Sequence, residues 1–339
     1  KASLDAKETS YTGNSGMMEL REAISHHFEQ RYGVHYDPKD EILVTVGVSE
    51  GLAMALLAIT EPGDEVIIPD PAYVAYPASV ELAGGTPVFV PTYPEHDFKL
   101  TVEALEKVIT PKTKAIVIGY PNNPTGTVMS AEELMPIAKF AEEHDLIVLS
   151  DEIYCELMYG DAKFTSFAKL PGMRERTVIF NGFSKAYAMT GMRLGYVCAP
   201  REGLAPILKL HQYAIMCANT TAQVGGITAL KECDDDVEAM RQEYDRRRKV
   251  IYKGLCDMGL PVFEPKGAFY IFPDIRCTGM TSAEFCEKLV QEEKVAVVPG
   301  TAFGDQGEGF VRISYAASMD TIQEALKRMA RFVDKYKSC

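Results

Sequence analysis

The sequence predicts an α/β protein in which a large domain on a mostly parallel seven-stranded sheet is followed by a smaller α+β domain. Three observations carry this. Short β-rich runs alternate with helical stretches through the first 200 residues, the pattern of a doubly wound sheet. The runs at 177–180 and 194–198 are apolar enough to be strands buried in a core. With 339 residues, 47% of them hydrophobic, the chain is long enough to bury more than one core.

The elements follow in order. Residues 11–16 are turn-rich, and 17–32 place Leu20, Ile24 and Phe28 at helical spacing. A β-rich run at 41–46 ends in the glycine turn Gly47-Val48-Ser49-Glu50-Gly51, with a buried helix expected at 52–59. The alternation repeats as strand 65–68 and helix 73–83, strand 86–90 and helix 102–108, strand 115–119 and helix 131–144, then strand 147–150. Strands 177–180 and 194–198 bring the expected number to seven. Helices rich in Leu and Ala then run to residue 230, and Asp234-Asp235-Asp236 opens a charged helix to about residue 257. We set the expected domains at 11–235 and 236–339, with 1–10 as the start of the large domain or a linker into it. In the small domain, strands 267–272, 295–298 and 310–314 alternate with helices 282–292 and 321–337. The chain starts at Lys1 within what reads as a helix, so a preceding segment is expected.

Composition narrows the partners. A net charge of −13 argues against nucleic acid, which needs a basic face to release counterions. The eight cysteines form no CxxC pair and follow no secretory signal, so they read as reduced thiols in a cytoplasmic protein. Of the six histidines only His26 and His27 are close, and adjacent helix positions face different ways, which gives a metal site no support. No apolar run reaches the length of a membrane span.

Chemistry gathers around Asn181-Gly182-Phe183-Ser184-Lys185, a turn between the two buried strands, with Arg193 eight residues beyond Lys185. A lysine among core elements either pairs with an anion or loses its proton and becomes a nucleophile. A Schiff-base lysine beside a phosphate-suited arginine is what pyridoxal phosphate (PLP) requires, because that cofactor offers an aldehyde and a dianion. Four other strand ends carry polar groups. The glycine turn at 47–51 offers backbone N–H groups and the Ser49 hydroxyl to an anion. It also fits the G-x-S-x-G nucleophile elbow of a serine hydrolase, whose triad would need His211 or an earlier histidine. Pro69-Asp70-Pro71-Ala72-Tyr73 is a rigid loop whose Tyr73 is suited to stacking on a ring. The prolines of Tyr120-Pro121-Asn122-Asn123-Pro124-Thr125-Gly126 fix a turn that holds the Asn123 amide. Asp151, ending an apolar strand, is costly there unless it meets a cation, and the protonated pyridine nitrogen is one. Arg312, on an alternating strand in the small domain, suits a substrate carboxylate.

Ser184-Lys185 with Thr190-Gly191 and Arg193, Asn123-Pro124-Thr125-Gly126 after a strand, and the stretches 264–272 and 297–303 together resemble class I aminotransferases of the fold-type I PLP-dependent family, close to the aspartate and aromatic members. The matches span nearly the whole chain. The resemblance implies that the large domain binds PLP, that Lys185 carries it covalently, and that Asp151 pairs with its pyridine nitrogen. Asn123 and Tyr154 would bond its phenolate and Tyr73 would stack on its ring. Its phosphate would be held by Ser49, Arg193 and the backbone of Val48 and Glu50, and Ser184 would also bind the cofactor. Arg312, helped by Asn123, would bind the substrate carboxylate. Tyr11 resembles the tyrosine that reaches the phosphate of a partner subunit, implying a homodimer. The activity implied is ping-pong transfer of an amino group between an L-amino acid, aspartate or aromatic, and 2-oxoglutarate. A PLP-dependent carbon–sulfur lyase of the same fold is the nearest alternative. Two departures stand out: Gly182 replaces a phosphate-binding serine common in the family, and the loop that covers the substrate would belong to the expected preceding segment.

Overall fold

The computed structural model describes residues 1–337, so Cys339 lies outside the described residues; the other seven cysteines are free thiols. After a short helix α1 (Ala2–Asp5), α2 (Met18–Tyr32) ends at Gly33, whose φ of 68° provides the left-handed stop. Strands and helices then alternate as expected: β1 (Ile42–Thr45), α3 (Gly47–Ile59), β2 (Glu65–Asp70), α4 (Ala75–Leu82), β3 (Thr86–Pro91), α5 (Val102–Leu105), β4 (Thr113–Ile118), α6 (Ala131–Glu143) and β5 (Ile147–Asp151). β6 (Thr177–Gly182) and β7 (Gly195–Cys198) complete one seven-stranded sheet in the order β1-β7-β6-β5-β4-β2-β3. All neighbours in it pair parallel except β7, which is antiparallel to both β1 and β6.

Helices cover both faces of the sheet because strand side chains alternate. Val66 and Ile68 point to the face covered by α3 and by α7 (Arg201–Ala214), where they share a core with Leu52, Leu56, Leu204 and Ile207. Ile67 points the other way, into a core with Leu134 and Ile137 of α6, and Ile42 and Val44 meet Leu20, Ile24 and Phe28 of α2. Ser130 starts α6 with a capping box closed by Glu133.

α4 starts two residues later than expected, at Ala75, and the start of α3 departs further. α3 begins at Gly47, five residues before 52, so the glycine stretch is the first turn of the helix rather than a loop ahead of it.

After α8 (Thr220–Glu232), α9 (Asp234–Asp257) leads to a three-stranded antiparallel sheet ordered β8-β10-β9, from β8 (Tyr270–Ile271), β9 (Val298–Pro299) and β10 (Val311–Ser314). β8 is shorter than the run 267–272, because Ala268 turns at φ 58°, and β9 keeps only Val298 of the expected 295–298 and adds Pro299. α10 (Ser282–Glu293) and α11 (Met319–Tyr336) lay Phe285, Leu289, Ile322, Met329 and Phe332 into a core with Ile251 and Leu255 of α9. Tyr154, Leu157 and Tyr159, which follow β5, join the same core, so the chain after β5 packs against the small sheet. No described helix is long and apolar enough to cross a membrane.

Candidate active site

The carboxyl-terminal ends of β1, β2, β4, β5 and β6 converge on one edge of the large sheet, and the small sheet faces them. Between them lies a cleft of about 370 Å³, large enough for a small cofactor. Val48, Ser49, Tyr73, Asn123, Asp151, Tyr154, Ser184, Lys185, Arg193 and Arg312 all line it, although they come from segments spread over more than 260 positions of the chain. Three grooves are larger, at about 610, 590 and 430 Å³, but none of them joins a lysine, two arginines and a buried carboxylate as this cleft does.

Lys185 sits at the centre without an ion pair among the described residues; its Nζ lies 5.7 Å from the ring centre of Tyr154 and 5.6 Å from that of Phe269. Burial pushes the amine below the ordinary lysine range, and the nearby Arg193 and Arg312 push the same way, against the pull of Asp151. Asp151, 8% exposed, accepts 2.8 Å from the Tyr76 hydroxyl and 3.2 Å from the Ile153 N–H. Its carboxyl is raised by burial, which these bonds and Lys185 only partly offset. A carboxylate whose protein partners are a phenol and one amide retains capacity for a cation. Burial likewise holds the Tyr154 phenol well above its usual range, and its oxygen lies 3.0 Å from that of Tyr270.

Arg312 reaches the cleft from β10. Its guanidinium lies between the rings of Tyr270 and Phe303, 4.5 and 4.6 Å from their centres, and donates 2.9 Å to Asn123 Oδ1. It meets no carboxylate among the described residues, and its Nε is buried without a partner. Burial lowers its proton affinity. A flat cation held between two rings with donors unspent is prepared for a planar anion. The neighbouring Asn122 fixes the turn beneath by bonding Thr125 and Gly119, which leaves Asn123 turned toward Arg312.

At the other end, the first turn of α3 lacks a side-chain cap, because its N-cap is Val46. Its leading amides therefore need another acceptor. Arg193 crosses directly over this turn: a Cβ on Gly47 would stand 2.5 Å from Arg193 Nη2, and Gly47 also needs its φ of 76°. Uncapped amides, the Ser49 hydroxyl and a guanidinium together form an anion cup. Glu50 does not line the cleft; its carboxylate turns back to Val46 N–H and His211. That pairing engages His211, the first histidine named for a Ser49 triad, with Glu50 rather than with Ser49. Tyr11 is 79% exposed and lies outside the cleft. The glycine at 182 has a packing reason: a Cβ there would stand 2.7 Å from Gly195 Cα and 2.9 Å from Leu194 O.

Sequence reasoning missed Tyr76, Thr190, Tyr270 and Phe303. Tyr76 follows Tyr73 by three positions, one helical turn, and that spacing was its one local signal. Tyr270 and Phe303 lie within the motif stretches 264–272 and 297–303, but their contact with Arg312 arises only when the small sheet folds.

Known proteins resemble the chain over nearly its whole length. The family described as aminotransferase class I and II matches residues 1–329. The aspartate aminotransferase of Pyrococcus abyssi is 50% identical over 339 residues, covering 99% of this chain and 87% of that protein. The aromatic-amino-acid aminotransferase 2 of Thermococcus litoralis is 47% identical with the same coverage. The crystal structure of an aromatic aminotransferase from Pyrococcus horikoshii superposes with a TM-score of 0.97 at 49% identity, over 98% of this chain and 90% of that one. With cleft, fold and sequence in agreement, the chain belongs to the class I and II aminotransferases, enzymes of PLP fold type I.

Proposed function

We propose that this aminotransferase uses pyridoxal phosphate to move the amino group of an L-amino acid, aspartate or aromatic, onto 2-oxoglutarate, acting in the cytoplasm as a homodimer. The observation that carries the reading is Lys185, a half-buried amine of lowered proton affinity that no described carboxylate pairs with. The donor set fits the cofactor: an amine for an aldehyde, the Ser49 and Arg193 cup for a dianion, Asp151 for a ring nitrogen and Tyr73 for a ring face. Bound there, pyridoxal phosphate supplies a carbon that takes the amino group and a ring that withdraws electrons from the substrate α-carbon.

The chain's own residues do the rest. Lys185 Nζ removes the proton from the substrate α-carbon and delivers it again during transfer, a task suited to an amine whose proton affinity burial lowers. Asp151 holds a proton on the ring nitrogen, its phenol and amide partners keeping it in line. Asn123 and Tyr154 would bond the ring oxygen, the backbone of Val48 and Glu50 would add to the phosphate contacts, and Ser184 would also hold the cofactor. Arg312 binds the α-carboxylate of each substrate, and Tyr11 serves the partner's phosphate. We keep the domain division at 235/236, with the transfer site between the two parts. Ile153 and Tyr270 also line the cleft, which holds no cation besides Lys185, Arg193 and Arg312 among the described residues, and this suits an aromatic side chain.

Borohydride reduction of the holoenzyme should fix a pyridoxyl group on Lys185, found by peptide mass spectrometry. A label on another lysine with Lys185 unmodified refutes the reading. Lys185→Ala should lower kcat by roughly 10² to 10⁴ or more.

A further inference from the structure

We propose that His211 and Glu50 are positioning residues for the anion cup, setting how strongly the site prefers a phosphorylated ligand over its unphosphorylated counterpart. The inference rests on the reading of Ser49, Arg193 and the first turn of α3 as the phosphate cup. Glu50 lies in that turn, yet its side chain points to the rear. One carboxylate oxygen accepts the Val46 N–H at 3.0 Å, and the other lies 3.0 Å from His211 Nδ1. A carboxylate can only accept, so Nδ1 carries the proton and donates. His211 is fully buried on α7, the helix that backs α3, and its Nε2 has no partner among the described residues.

Two consequences follow for the cup. Val46 cannot cap α3 with its own side chain, so Glu50 holds the backbone at the entry to the turn and leaves the amides of Val48 and Ser49 facing the cleft. A carboxylate beside an anion site also repels the anion. The His211 donor draws that charge toward α7 and anchors the carboxylate behind the helix. The two side chains thus fix where the cup's donors point while themselves touching neither substrate nor cofactor. A merely structural link between α3 and α7 would stabilise the fold without favouring a phosphate.

The test uses apoenzyme titrated separately with pyridoxal phosphate and with pyridoxal, which lacks the phosphate, the binding being followed by absorbance. In His211→Leu and Glu50→Ala, Kd for pyridoxal phosphate should rise about tenfold or more while Kd for pyridoxal changes less than about twofold. Glu50→Gln keeps an acceptor for Val46 N–H and should fall between wild type and Glu50→Ala. Should His211→Leu fail to fold, Glu50→Ala carries the test. Equal weakening of both ligands, or an unchanged preference, overturns the proposal. If the wild-type protein itself shows no preference for the phosphorylated ligand, the cup reading fails, and the proposal with it.

Discussion

Glu152 follows Asp151 in the chain, yet its side chain turns away from the cleft and is 1% exposed. One oxygen accepts from Ser150 Oγ, Ser166 Oγ and the Phe167 N–H, at 2.9, 3.0 and 3.0 Å, while the other has no partner. Burial raises this carboxyl to about 7 from an ordinary value of 4.5, and the three donors only moderate the effect. The folded protein therefore keeps a proton there that the unfolded chain has released. The stability this provides is complete below about pH 4.5 and is lost as pH rises through about 7. Glu152→Gln is neutral throughout and should gain on wild type across that window, by on the order of 3 kcal/mol. Denaturant unfolding of both proteins at pH 5 and pH 8 measures it; a difference that does not change with pH would count against the assignment. Asp151 and Glu152 read alike as neighbouring acids in the sequence. Only folding separates them, giving one a tyrosine beside a cleft and the other a pair of serines inside the core.

Among the elements, the strands were the most legible, because a strand covered on both faces must be apolar along its length, as 115–118 and 146–149 are. The start of α3 was not, because two glycines suggest a loop when the sequence is read alone. The reason for Gly47 lies elsewhere in the chain, in the Arg193 side chain that fills the place of a Cβ. Lys185, Asp151 and Asn123 were legible since each ends a strand or follows one within a few residues, and Arg193 since it stands just ahead of one. The Tyr270 and Phe303 rings around Arg312 were not, since no local pattern says which aromatic residues the small sheet will bring to it. Where β7 begins, a Cβ on Gly195 would stand 2.7 Å from the carbonyl carbon of Gly47 and 2.7 Å from Val48 N. Backbone cannot give way as a flexible side chain does, so Gly195→Ala should push the first turn of α3 outward. We expect a loss of about 1–3 kcal/mol in stability, read by thermal unfolding of the apoenzyme, together with weaker binding of pyridoxal phosphate. Unaltered stability would mean that the two segments separate without cost.

At the scale of the molecule, the site exists only while the two sheets face each other, since Arg312 comes from the small one and Lys185 from the large one. The bond from Arg312 to Asn123 spans them directly. Arg312→Lys keeps the charge and loses the fork, so kcat/KM should fall by roughly tenfold or more, and by a similar factor, for aspartate, tyrosine and alanine. A loss confined to one donor would make Arg312 a side-chain selector instead. The reversed direction of β7 has a wider consequence. In an all-parallel layer, every strand starts at the far edge, and a residue just ahead of a strand cannot help build a site where strands end. With one strand turned about, the chain leaves β6, sets down Lys185, and is still on the same rim when it reaches Arg193 and enters β7. Two of the three cations of the cleft are thus supplied by one short excursion that never crosses the sheet. Their spacing depends on that single loop, so a one-residue insertion between positions 186 and 192 should disturb the amine and the anion cup together while leaving every strand in place.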